Sequence, residues 1–179
     1  NVQARVEPCF VPMSHPLASV SGGNNGIVVN GHAVGELMMV GPGAGQLPTA
    51  SAIMGDVINL AAALRLQDFA SYFHTEVGDT WQTVSSSDSW KTPYYIRVEV
   101  EDHPGVIGKI GSIFGANQIS IQSIIQRGVE DQGASVVILT HPVETGRVNK
   151  AIEQMKSEEF LKDQGTCIAI FNGKNGAGK

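Results

Sequence analysis

Between Tyr94 and Asn172 the hydrophobic period switches in a fixed order, and that order restricts the fold more than any other feature of the chain. "YYIRVEVE" alternates as a half-buried strand, and "GVIGKIGSIFGANQ" places Val106, Ile107, Ile110, Ile113 and Phe114 on one helical face. "ISIQSIIQRG" and "ASVVILTHPV" then read as strands joined by the polar turn "VEDQG". "TGRVNKAIEQMKSEEF" is an amphipathic helix and "TCIAIFN" a closing strand. A βαββαβ order predicts a four-stranded antiparallel sheet with two helices on one face, the ferredoxin-like arrangement.

The preceding residues do not make an independent enzyme fold. "ARVEPCFVP" (4–12), "NGIVVNG" (25–31) and "AVGELMMVG" (33–41) are expected strands, with the Asn30-Gly31 pair as a hairpin turn. A helix from about Thr49 is expected to bury Ile53, Val57, Leu60, Ala61 and Leu64. Too few residues remain here for two βαβαβ nucleotide-binding halves. The expected organisation is an incomplete piece over 1–74, a Ser/Thr/Asp-rich linker over 75–92, the βαββαβ domain over 93–172 and a disordered tail over 173–179. Trp81 and Trp90, at the linker, are expected to dock on neighbouring surface.

With 179 residues, 42% hydrophobic and 16% charged, the chain can bury a core. Its net charge of -5 argues against nucleic acid and anionic membranes as partners and favours a small metabolite. No uninterrupted run of 18 apolar residues is present, and no signal-peptide pattern opens the chain, so a cytoplasmic location is expected. Cys9 and Cys167 lack metal or redox spacing, and no metal site is expected. The chain begins without methionine and reads as a piece of something longer.

Two glycine-containing stretches suggest phosphate binding. "FNGKNGAGK" has G-x-x-x-x-G-K spacing but lacks the following Ser/Thr and helix that a P-loop needs. "VGPGAGQLPTAS" lies between a strand and a helix, where free N–H groups favour an anion. Its glycines do not follow the dinucleotide fingerprint, and a tight turn is the alternative reading.

At "EDHPGVIGKIGSIFGANQISIQSI" (101–124) the second half resembles the ACT domain, a regulatory module that binds small ligands, usually amino acids. Pro104 suits a first helical turn, and the N–H groups of Gly105, Val106 and Ile107 would face a ligand carboxylate. Asp102 either accepts from the ligand ammonium or caps the helix. His103 either lines the pocket or is a solvated loop residue, and Asn117 reads as a helix C-terminal residue. The resemblance implies a further contact at the start of the second strand of this domain, where Ser120 stands.

The first half, through about Leu64, looks closely like the end of the catalytic region of bacterial homoserine dehydrogenase, with "HPLASV", "GELMMVGPGAG" and "LPTASAIMGD" in family order. The overall class is therefore α+β, an incomplete catalytic piece followed by an ACT domain. That resemblance implies NAD(P)-dependent interconversion of L-homoserine and L-aspartate 4-semialdehyde, in threonine, methionine and isoleucine biosynthesis. It implies cofactor contact at Gly43, Ala44 and Gly45, with the catalytic lysine and substrate-holding acids upstream of this chain. No catalytic residue is expected here, no cofactor is expected to bind the fragment alone, and the fragment is expected to be inactive. His15 is read as loop-structuring, and Glu36 as solvent-facing or interfacial. Expected partners are an amino-acid effector, L-threonine by resemblance, the missing amino-terminal part, and a second copy in a homodimer or higher oligomer. The alternative is a free-standing amino-acid sensor without dehydrogenase activity.

Overall fold

The computed structural model describes residues 4–65, 87–129 and 133–172. Residues 130–132 of the "VEDQG" turn, Trp81, the 173–179 tail and most of the expected linker lie outside these residues. Two compact units emerge, Asn1–Pro12 with Val84–Lys179, and Met13–Thr83.

The first unit holds β1 (Cys9–Phe10), β4 (Lys91–Thr92), β5 (Tyr94–Val100), α2 (Val106–Ala116), β6 (Ile121–Val129), β7 (Gly133–Thr140), β8 (Val143–Glu144), α3 (Thr145–Lys156) and β9 (Leu161–Ile170). Its main sheet runs β1-β9-β5-β7-β6. The β9, β5, β7 and β6 ladders are antiparallel, which is the expected ferredoxin-like order. A small antiparallel pair, β4 with β8, stands beside it.

Strict alternation along β7 buries Ala134, Val136, Ile138 and Thr140. Ala134, Val136 and Ile138 meet Ile96, Val98 and Val100 of β5, Val106, Ile110 and Phe114 of α2, and Val148, Ala151 and Met155 of α3 in one core. Ile110 and Phe114 are fully buried, as helical spacing from Val106 requires. At about 25 cal/mol per Å², each such side chain contributes roughly 1.5–3 kcal/mol. Asn117 ends α2: its amide bonds to Ile113 O at 3.1 Å, and its side-chain Nδ2 to the same oxygen at 2.8 Å. β9 begins earlier than expected, at Leu161, and α3 stops at Lys156 with Ser157 as its cap.

Residues 4–12, expected to belong with the first half, fold with the second. β1 is only two residues long and pairs parallel to β9, Cys9 opposite Ala169 and Phe10 opposite Ile170. A parallel partner so distant in sequence leaves no local signal, and the two-residue pairing explains why the strand is shorter than its apolar pattern.

The second unit contains a 3₁₀ turn (Pro16–Ser19), β2 (Asn24–Gly31), β3 (Gly35–Pro42) and α1 (Gln46–Arg65). β2 and β3 pair in register from Asn24–Pro42 to Gly31–Gly35, so the loop is His32–Val34 and Asn30-Gly31 lies in the ladder. A three-residue loop closed by glycine at positive φ replaces the expected two-residue turn. Leu17 and Val20 approach Gly26 beside Met38, filling one side of the hairpin.

The other side is bare. Ile27, Val29, Leu37 and Met39 form cross-strand pairs that are all exposed. α1 starts three residues earlier than expected and does not bury Ile53, Val57, Leu60, Ala61 or Leu64; only Ala63 is buried. The apolar pattern is real, but the described residues supply no matching surface. Length and composition would also let α1 cross a membrane. Asp56, in mid-helix, would oppose insertion by about 2.5–3.5 kcal/mol.

Candidate functional site

The loop 101–105 joins β5 to α2 and is anchored where the Glu101 amide donates to Phe160 O at 2.9 Å. Gly105 occupies the N-cap at φ 99° and ψ −18°, and no side chain caps the helix. That positive φ favours glycine, and a Cβ there would meet no other atom within 4 Å, so the approach to the helix end is open. The first full helical bond runs from the Lys109 amide to Gly105 O at 3.0 Å. The amides of Ile107 and Gly108 therefore lie in the turn that has no intrahelical acceptor.

Asp102 does not cap α2. Its Oδ1 accepts from Gln126 Nε2 of β6 at 2.8 Å, which holds an exposed carboxylate next to the open helix end. Gln126 was not among the expected residues, because a bond between the 101–105 loop and mid-β6 follows from sheet order rather than local spacing. His103 is about half exposed and turned onto its own loop, with Nδ1 3.1 Å from Pro104 O and Nε2 3.6 Å from Glu101 Oε2.

Val106 places its side chain in the core, so only its backbone is available. Its amide makes a long 3.5 Å bond to His103 O. Ile107 is half-buried against the core. Ser120 is exposed just before β6, and its carbonyl accepts from the His141 amide at 3.0 Å. The arrangement offers amide donors at a helix N-terminus, a favourable field for an anion, and a neighbouring carboxylate for a cation. That combination suits a zwitterion.

The 43–45 loop presents a different balance. The Gly43 amide is committed to Gly23 O at 3.1 Å, and a Cβ at Gly43 would strike the Asn25 carboxamide at 2.1 Å. Gly43 therefore accommodates Asn25. Gly45 has φ 138°, and its carbonyl accepts the Thr49 amide at 3.0 Å in the first turn of α1. Ala44 and Gly45 stand next to a helix start, where the field favours an anion, whereas the Gly43 amide is already used. His15 caps the 3₁₀ turn by accepting the Leu17 amide on Nδ1 at 3.1 Å, and its Nε2 lies 3.6 Å from Glu36 Oε1. Among the described residues, no group of three or more His, Cys, Asp and Glu could hold a metal ion.

Residues 1–58 match the homoserine dehydrogenase family, and residues 94–160 match the ACT domain. Homoserine dehydrogenase of Synechocystis sp. is 36% identical over 174 residues, covering 96% of this chain and 40% of that protein. The Neisseria gonorrhoeae enzyme is 34% identical over 174 residues, with 95% and 40% coverage. The chain thus spans about 40% of the length of these relatives. A crystal structure of homoserine dehydrogenase from Thiobacillus denitrificans superposes with a TM-score of 0.75 at 24% identity, over 92% of this chain and 38% of that one. The likeness to that structure is one of fold.

Proposed function

The chain joins a segment of the homoserine dehydrogenase family to an ACT domain, and from that premise we propose that it is the regulatory end of such an enzyme. The intact protein interconverts L-homoserine and L-aspartate 4-semialdehyde with NAD(P), in the cytoplasm, within threonine, methionine and isoleucine biosynthesis. The present residues contribute backbone at Ala44 and Gly45 toward the cofactor, with Gly43 shaping the turn. Without the remainder of the enzyme they do not catalyse hydride transfer. A homodimer or higher assembly would cover the exposed apolar face of β2, β3 and α1.

The observation that carries the regulatory part is the uncapped N-terminus of α2 beside Asp102. An amino-acid carboxylate takes the amides of Ile107 and Gly108, and its ammonium takes Asp102. The helix-end term is worth about 0.3–1 kcal/mol when exposed and up to about 2 when partly buried. L-threonine, an end product of the proposed pathway, is the proposed effector. It would control the enzyme only by binding its active and inactive arrangements with different affinity.

Calorimetric titration with L-threonine, against L-isoleucine and L-serine, tests the site. Saturable threonine binding that Asp102→Ala weakens at least tenfold is expected. Threonine heat that is unchanged in Asp102→Ala would remove the ligand from this loop. A folded chain giving no heat with any of the three would sink the effector reading.

A further inference from the structure

β1 is too short to hold itself in place. Two residues of parallel ladder add little, Val6 and Met13 on either side are exposed, and isolated short pairings are marginal in water. Its attachment is instead concentrated in a few side-chain contacts. Arg5 Nη1 donates to Thr145 Oγ1 at 3.1 Å, and the guanidinium lies 5.8 Å from the centroid of the Trp90 ring. Glu7 pairs with the same guanidinium. Phe10 meets Tyr95 edge-to-face at 5.2 Å, and its carbonyl accepts the Phe171 amide at 2.8 Å.

The Thr145 hydroxyl is the centre of this arrangement. It donates to Trp90 O at 3.2 Å, contacts Tyr94 Oη at 2.7 Å and accepts from Arg5. With Tyr94 as donor, the hydroxyl's one hydrogen and two lone pairs are all used. Thr145 is also the first residue of α3, and its amide bonds to Trp90 O at 2.9 Å. One buried hydroxyl therefore ties together the start of α3, the residue before β4, the start of β5 and the strand leading out at Pro12. The next residue, Met13, opens the other unit.

We propose that residues 4–12 are a coupling clamp: a detachable parallel strand, locked by Arg5 onto the Thr145 hydroxyl and the Trp90 ring, whose docking is linked to the state of the start of α3. Because the clamp and the hydroxyl satisfy one another, the linkage is reciprocal: loosening either loosens the other. The clamp stands on these contacts alone, whereas its use by an amino-acid effector rests on the function proposed above.

Two neighbouring amides make the test internal. Phe171 donates to Phe10 O across the clamp, whereas Ile170 donates to Pro93 O at 2.8 Å, independently of it. In native-state hydrogen exchange, Arg5→Met and Thr145→Val are each expected to speed exchange at Phe171 about tenfold and leave Ile170 unchanged. Thr145→Ser, which keeps the hydroxyl, is expected to restore protection. Unchanged Phe171 exchange in both variants would overturn the clamp. Equal acceleration at Ile170 would also overturn it, by showing general loosening of the sheet. Saturating L-threonine should alter Phe171 protection in the wild type and not in Arg5→Met. Threonine binding that leaves Phe171 unaltered would refute regulatory use of the clamp while sparing the effector site. Absence of threonine binding would count against the effector reading alone.

Discussion

The two units use similar apolar material in opposite ways. In the ACT unit, alternating strands and two amphipathic helices close on one core, and the buried apolar residues described belong to it with the single exception of Ala63. In the Met13–Thr83 unit, equally regular patterns on β2, β3 and α1 leave Ile27, Leu37, Met39, Ile53, Val57 and Leu64 exposed. Periodicity shows that a face needs a partner. It does not say where the partner is, and relatives more than twice as long have ample chain to supply one.

The sharpest way to break this contrast is a pair of truncations. Phe114→Ala, in the ACT core, is expected to cost about 3–5 kcal/mol in chemical denaturation, whereas Ile53→Ala on α1 should stay within about 0.5 kcal/mol. Comparable losses would mean that α1 has a packed partner after all.

Cysteine chemistry probes the depth of the β9 edge. Cys167 is exposed as a residue, yet burial around its sulfur, with Glu7 adding to the effect, pushes the thiol up to about 11. Its alkylation at pH 8 should run about a hundredfold slower than that of free cysteine. Because the folded state holds the thiol proton more tightly, this contribution to stability is present below about pH 9 and is lost as pH rises toward 11. Denaturation midpoints that do not fall across that window, relative to Cys167→Ala, would contradict a desolvated thiol.

Glycine substitutions sharpen the comparison further. Gly165 has φ 71°, and a Cβ there would lie 2.1 Å from Arg97 O, a backbone atom that cannot swing aside. Gly165→Ala should cost about 1–3 kcal/mol. Gly43→Ala meets the exposed Asn25 side chain first, so its cost should stay below about 1 kcal/mol and fall in an Asn25→Ala background. At the small end, Lys156→Met removes an exposed ion pair with Glu153 and should shift stability by less than about 0.5 kcal/mol.

Much of the ACT unit was legible in the sequence because each element announces its own period and neighbouring elements pair with one another. The loop at 102–107 was legible for the same reason, since Pro104-Gly105 before an apolar helical stripe marks a helix start. What escaped were relations across long separations. Gln126 claims Asp102 through sheet order, so Asp102 does not cap α2. β1 leaves its apparent neighbours for β9. Asn30-Gly31 looked like a turn in isolation, yet the ladder continues through it and turns at His32–Val34.

The insertion of one unit between β1 and the rest of the other has a consequence for biosynthesis. Cys9 is translated far ahead of Ala169, its partner in the ladder. At about 5–20 residues per second, the strand waits on the order of ten to thirty seconds for its edge to emerge. The β1–β9 edge is therefore completed only once β9 has been made. Over that interval β1 has no β9 edge to pair with, so this pairing forms only after β5, β6 and β7 have been made.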